Sequence, residues 1–526
     1  MILRRTLPIK WRSLRNPRLF ARLQSGQSRP PSVETETIRH PSVFIEEGYV
    51  RNTISAVDYF RRFLKYSVVG LLTVGVTTWT AFEGAHMWVE NAELATDNDD
   101  EIRKWEWDIE AERWTGGPRG GTDRGLGFMG RHAVRSAWMA QHWGIGATGS
   151  GSVIGSNAFT GRGGSGAGGL NIVETRLELA QNFIQTALQV AEKRMASGKI
   201  RPETVTELLQ RHASIMERMG TRDALFEARM EFERVWSQLP GKGVDAARTA
   251  LKLGDINQRI GDREDAMSWW ARAFHLLHEG NDKSLPQVPP KVPEALPSSP
   301  LAQRTLISAL VSLSAHYATS GQLRQAQAIE EASLELLRSV QQPPSAQSTT
   351  PPQALHALYI LHRSALLSIH LAEVLYGLRS RAARSTQWLY QAAESSERVA
   401  LALTGLPSVH PDAPQSKIPH PPSSEAPLLS EYAKSLSMRK PAISLLRDAR
   451  RTAAEAWSLL GLLAEATEAP GSMERALECY ERALGWAGVS SDRAGGIGKP
   501  GEGTLQTEWN VLWSNYVRAR NSLRKE

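Results

Sequence analysis

From Asn171 to the end of the chain, apolar residues recur at helical spacing in paired segments, and strand-like alternation is scarce. The pattern predicts an all-α domain over residues 170–526, built from pairs of helices. Pro-rich stretches at 284–300, 343–352 and 407–427 and a Gly-rich one at 485–503 break the period without removing the flanking helices. They read as disordered inserts, which are tolerated because loop-closure entropy grows only logarithmically with length. Upstream the pattern changes. Residues 144–169 hold eleven glycines and six Ser or Thr, the composition of a flexible linker that separates two units. Tyr66 to Phe82 are seventeen residues in a row without a charge, just long enough at ~1.5 Å rise each to cross hydrocarbon. Residues 66–82 are therefore expected to form a single transmembrane helix.

The paired segments carry a repeating motif. Trp457, Leu460, Gly461 and Ala464 are followed by Ala476, Tyr480 and Ala483. This matches the tetratricopeptide pattern W-x2-L-G-x2-Y, then A-x3-F-x2-A, with Ala464 for the first Tyr, Tyr480 for Phe and a slightly longer turn. Leu253, Gly254, Asn257, Gly261, Ala266, Trp270 and Ala273 repeat it, and Leu313, Ser314, Tyr317, Gly321 and Ala326 do so again, with Glu330 at the aromatic position. Small residues let the two helices of a repeat approach closely, and large ones fill the gap between repeats. Weaker copies surround Met219–Ala224 and pair Leu355–Arg379 with Ala382–Leu403, and a last helix around Trp509–Tyr516 caps the stack. The fold expected is a transmembrane helix followed by an α-solenoid of tetratricopeptide repeats. Such a solenoid lines a concave groove with the first helix of each repeat, which by register presents Arg248, Asp255, Gln258 and Arg259 in one repeat and Glu455, Ser458 and Glu465 in another.

Charge adds a direction. The net charge is +7, yet residues 1–33 hold eight Arg or Lys and no acid, so the rest of the chain is close to neutral and no general nucleic-acid surface is implied. Regular arginines among Leu, Ile, Trp and Phe, with no acid before Glu34, are typical of a mitochondrial transit peptide; a basic tail that binds RNA or lipid is the alternative. Arg61, Arg62 and Lys65 precede the apolar run, and Glu83, Glu90, Glu93 and Asp97 follow it. The basic flank stays in the matrix. This leaves 34–65 as a matrix-side segment and everything after about residue 84 in the intermembrane space, anchored to the inner membrane in a single pass.

Residues 83–143 form an acidic, Trp-rich juxtamembrane segment, with helices expected at Glu101–Arg113 and Arg131–Trp143. Trp105, Trp107, Trp114, Trp138 and Trp143 put five of the sixteen tryptophans within residues 105–143. Tryptophan supplies large apolar area, so these residues either cap the repeats or dock a partner. Chemistry is sparse. The single cysteine, Cys479, excludes an intramolecular disulfide or a four-thiolate metal site. Gly161–Gly166 spells G-x-G-x-x-G without a preceding strand, and no phosphate loop, zinc helix or nucleophile elbow is present. His132 and His142 lack further ligands at metal spacing. No catalytic residue, metal or cofactor is expected, and the chain is read as a binding protein.

Taken together, the basic leader, the Tyr66–Phe82 run, the Trp-rich segment and the repeats resemble the fungal tetratricopeptide adaptor of the mitochondrial inner-membrane i-AAA protease. The resemblance implies a membrane-anchored adaptor that binds unfolded or membrane-protein substrates in the intermembrane space and delivers them to that protease for quality control. A tetratricopeptide assembly factor for a respiratory-chain complex shares the same anchor and repeats.

Overall fold

The computed structural model describes residues 47–110, 113–144, 152–154, 172–239, 243–278, 286–340, 349–406, 428–467, 469–491, 497–500 and 506–524. The leader 1–33, most of 144–169 and the insert 407–427 lie outside the described residues. The chain divides into one unit ending at Thr78 and another beginning at Trp79. Helix α1 (Glu47–Trp88) contains the whole Tyr66–Phe82 run. Within the first unit its apolar side chains are exposed, among them Val69, Leu71, Leu72 and Val74. Helix α1 is long and apolar enough to cross a membrane.

The second unit is built of helices. After the short α2 (Asp100–Lys104) and α3 (Trp107–Glu110) come α4 (Gly127–Trp143) and α5 (Thr175–Met195). Next are α6 (Pro202–Met219), α7 (Arg222–Gln238), α8 (Val244–Ile260), α9 (Arg263–Leu277), α10 (Pro300–Thr319) and α11 (Leu323–Arg338). Then follow α12 (Pro351–Gly377), α13 (Ala382–Thr404), the short α14 (Ser430–Ala433), α15 (Leu436–Glu465), α16 (Ser472–Trp486) and α17 (Gln506–Leu523). They pack as hairpins α4/α5, α6/α7, α8/α9, α10/α11, α12/α13 and α15/α16, closed by α17, in a solenoid-like stack. The first helices α8, α10, α12 and α15 also touch in succession. Two short antiparallel ribbons, Ser152–Ile154 with Ile172–Glu174 and Val489–Ser491 with Ile497–Pro500, are the strands among the described residues. Helix α12 is as apolar as the α1 run over its best window, but 56% of that window is buried, so it belongs to the core.

Local chemistry explains the hairpins. Proline opens α6, α10 and α12, where its missing N–H is no loss. The turns after α8, α10 and α12 share one geometry: Asp262 N–H donates to Asn257 O, Gln322 to Tyr317 and Ser380 to Leu375, each at 2.9 Å. The residue before each donor is left-handed, with φ 104° at Gly261, 77° at Gly321 and 54° at Arg379. The close approach inferred from sequence is present. A Cβ on Gly254 would lie 2.4 Å from Trp270 Cδ1, and one on Gly461 would lie 2.6 Å from Tyr480 Cε1. In the hairpin α10/α11, Ser314 takes the glycine's place and donates to Glu330 Oε1 at 2.7 Å, so a buried hydrogen bond replaces the aromatic contact.

Two expectations are corrected. The glycine-rich stretch does not separate two units: α4 and α5, on either side of it, pack together and share a core that includes Trp138, Ile184 and Ala187. Their apolar faces find each other whatever the loop between them does. The Pro-rich stretch 284–300 is described from residue 286 onward and is not a bare insert. Pro290 is buried, and Val292 and Leu296 pack on the core between α8 and α10.

Candidate functional site

The segment between α1 and α4 runs as a strap across the N-terminal halves of the first helices, in reverse order of the chain. Asp97 lies on the start of α15, where the Ser435 hydroxyl (2.7 Å) and the Ser437 amide (2.9 Å) both donate to its Oδ2. Thr350, just before α12, donates to Glu101 at 3.3 Å. Glu106 accepts from Ser299 and, at 2.8 Å, from the Leu301 amide at the start of α10. Asp123 accepts from the Arg201 amide (3.3 Å) and from Thr204 at the start of α6. Each carboxylate meets amide or hydroxyl donors at the positive end of a helix dipole. Burial works against the charge on Asp123, but hydrogen bonds from Thr204, Gly125 and Arg201 together with the Arg201 charge hold its carboxyl below the ordinary value.

The first helices answer with arginines that take hold of the strap's main chain. Arg304 donates to the Trp105 and Glu106 carbonyls at 3.2 Å, is ion-paired with Glu110, and lies 3.9 Å above the Trp107 ring. Arg248 donates to Ile109 O (3.3 Å) and Glu110 O (3.5 Å), Arg211 to Arg113 O (3.0 Å) and Arg201 to Thr115 O (2.6 Å). Burial and the Arg304 charge push His356 down to about 3, so the ring is neutral; its Nδ1 accepts from Arg304 at 3.1 Å, leaving Nε2–H to donate to Gln303. The expected Glu101–Arg113 helix is accordingly broken into α2 and α3 at Glu106, whose φ of 56° turns its carboxylate onto α10.

The tryptophans divide between these contacts. Trp107 is fully buried and donates from Nε1 to Pro352 O at 2.9 Å, and Trp105 packs on the same core beside His356. Trp114 is buried under Arg211, and Trp138 is buried and stacked on His142 at 4.6 Å. Trp143 stays 44% exposed, with its edge on Trp138. Trp114, Trp138 and Trp143, with Arg113, Arg439 and Lys440, line a cleft of ≈ 810 Å³ between the strap, α4 and α15.

Of the groove residues read from register, Arg248 holds the strap. Asp255 accepts from Trp270 Nε1 at 3.2 Å, and burial, opposed by Ser312, Lys252 and Trp270, lifts its carboxyl to about 6. Gln258 bonds His316 of the next hairpin at 2.8 Å, and Arg259 donates to Glu217 O of the preceding one at 3.2 Å. Ser458 is buried, Glu455 is exposed, and Glu465 pairs with Arg518 of α17 at 2.8 Å. Most of these residues thus stitch neighbouring helices together. Arg201, Arg211 and Arg304, the other three main-chain holders, escaped the sequence reading. They share no register: Arg201 precedes α6, Arg211 sits in its middle and Arg304 is near the start of α10.

Several histidines find partners in the fold. His132 lies 3.1 Å from Glu83, His362 bonds Thr452 at 3.0 Å and His370 bonds Ser314 at 3.2 Å. His212 and Glu231 are 2.7 Å apart with Glu227 alongside, the one group of possible metal ligands among the described residues, and a His–carboxylate hydrogen bond already accounts for Nδ1. Cys479 is buried, which pushes its thiol up to about 11. No family model and no curated protein matches the chain.

Proposed function

We propose that this chain is a single-pass membrane adaptor whose tetratricopeptide-type repeats hold polypeptide segments, serving the i-AAA protease of the mitochondrial inner membrane from the intermembrane side. The observation that carries the reading is the strap. The first-helix face already holds a stretch of polypeptide, and beside the strap's own carboxylates and Trp107 part of that hold falls on main-chain carbonyls, which accept from Arg201, Arg211, Arg248 and Arg304. Charge-assisted hydrogen bonds of this kind contribute about 1.5–3 kcal/mol each and do not depend on side-chain identity, which suits clients defined by being unfolded rather than by sequence. The strap engages the N-terminal halves of these helices; Asp255, Gln258, Arg259 and Glu455 lie on the C-terminal halves, where a client segment would add to it. Anchoring through 66–82 raises the local concentration of the repeats beside a membrane protease, so weak contacts suffice. The recurring Gly254–Trp270 and Gly461–Tyr480 contacts support the repeat assignment.

Crosslinking in intact mitochondria followed by affinity purification tests the reading. Recovery of a membrane AAA protease together with incompletely folded proteins is the expected outcome. Recovery of respiratory-complex subunits instead would establish the assembly-factor alternative.

A further inference from the structure

The start of α4 meets the end of α1 through His132, whose ring nitrogen lies 3.1 Å from Glu83. The His132 ring lies 6.0 Å from that of Phe82 and 3.9 Å from that of Phe128. On either side of His132, Arg135 donates to His86 O at 3.4 Å, and Arg131 pairs with Glu90 at 3.0 Å. The end of α5 lies beside the start of α4, since Arg194 donates to Gly125 O at 2.9 Å and a Cβ on Gly125 would meet Lys199 and Ile200. This end of the α4/α5 hairpin exposes large apolar side chains among cations. Phe128 is 64% exposed, Met129 69% and Met195 50%, and Arg124, Lys193 and Lys199 are exposed around them.

We infer that the Phe128–Met129–Met195 patch seats on the bilayer surface, with Arg124, Lys193 and Lys199 against anionic lipid headgroups, so that the repeat domain rests on the membrane as well as hanging from it. The inference rests on the reading of Tyr66–Phe82 as the span, which puts Phe82, and with it Phe128, at the edge of the hydrocarbon. Apolar tips ringed by cations are the chemistry that enters the interface, where the side chains reach the acyl boundary and the charges stay with phosphate. The bilayer is favoured over a protein as occupant because Phe128 is linked through His132 to Phe82, where the apolar run ends, and because the patch has the charge sign that lipid phosphates complement.

The buried Cys479 makes single-site labelling of the full chain practicable. Met129→Cys and, as a distant exposed reference, Val511→Cys are labelled with an environment-sensitive fluorophore. The proteins are then reconstituted into phosphatidylcholine vesicles with or without phosphatidylglycerol. The label at 129 is expected to shift to shorter wavelength and to be quenched by lipids bearing a nitroxide near the glycerol backbone, and the label at 511 to do neither. Phosphatidylglycerol should deepen the quenching, and a combined Arg124→Gln, Lys193→Gln, Lys199→Gln variant should lose that increment. A water-like, unquenched label at 129 on a chain that resists alkaline carbonate would overturn the patch while leaving the span intact. Release of the chain by carbonate would instead overturn the span, and the patch with it.

Discussion

Gly254 and Ser314 stand sixteen residues ahead of Trp270 and Glu330, and the two pairs solve the same packing problem by opposite means. At the first, a methyl group has no room, since its carbon would lie 2.4 Å from the indole. Gly254→Ala should therefore destabilise the domain by about 1–3 kcal/mol, as overpacking does, read as a lower urea midpoint at unchanged slope. At the second, burial pushes the Glu330 carboxyl up from 4.5 to about 8, with Glu373 and Glu331 adding to it and the Ser314 hydroxyl opposing. His370, on the other side of Ser314, is held neutral by burial at about 4. Between 4.5 and about 8 the folded chain keeps a proton on Glu330 that the unfolded chain has released. Stability must then fall as pH rises through that window. Glu330→Gln is expected to flatten the decline, matching the parent near pH 4.5 and exceeding it at pH 8 by about 2–4 kcal/mol. Urea unfolding at the two pH values checks this, and an unchanged slope would remove Glu330 as the source.

At the scale of elements, the strap gives two arginines unequal weight. Arg304 is buried against Trp107 and holds two carbonyls, whereas Arg248 is partly exposed and its bonds are long. Arg304→Met should cost about 3–5 kcal/mol because it leaves Glu110 and two carbonyls without their donor, and Arg248→Met less than about 1 kcal/mol. Trypsin should cut at Arg103 and Lys104 faster in the first variant only. The helices themselves were legible. Apolar periodicity placed both members of each hairpin from α8 to α13, and Gly261 and Gly321 marked two of their turns. The third turn was placed by the helices flanking it, Leu355–Arg379 and Ala382–Leu403, and not by a glycine, since Arg379 takes the left-handed position there. The strap was not legible, because its partners lie as far away as Ser435 and nothing in a run of acids and tryptophans names the helix ends it will meet. The same blindness made residues 144–169 look like a domain boundary: composition describes a loop but not the faces of the helices it joins.

For the molecule as a whole, the pairing of α4 with α5 makes the region next to α1 part of the repeat stack. Replacing residues 155–171 with a five-residue Gly/Ser loop should consequently leave the fold intact and raise stability by about 1 kcal/mol through lower closure entropy. Thermal unfolding of the shortened chain checks it, and a split into two transitions would restore the boundary that the structure removes.

The reversed order of the strap has one more consequence, for how the chain is made. Every residue of the strap leaves the ribosome or an import pore before the helix it will cap. Asp123 finds α6 first, Glu106 must wait for α10, and Asp97 stays open until Ser435 arrives. Closure therefore travels backwards along the nascent chain like a zip, with its last tooth set next to the end of α1. A product truncated before α15 would keep its acidic end undone, carrying a mark of its own incompleteness.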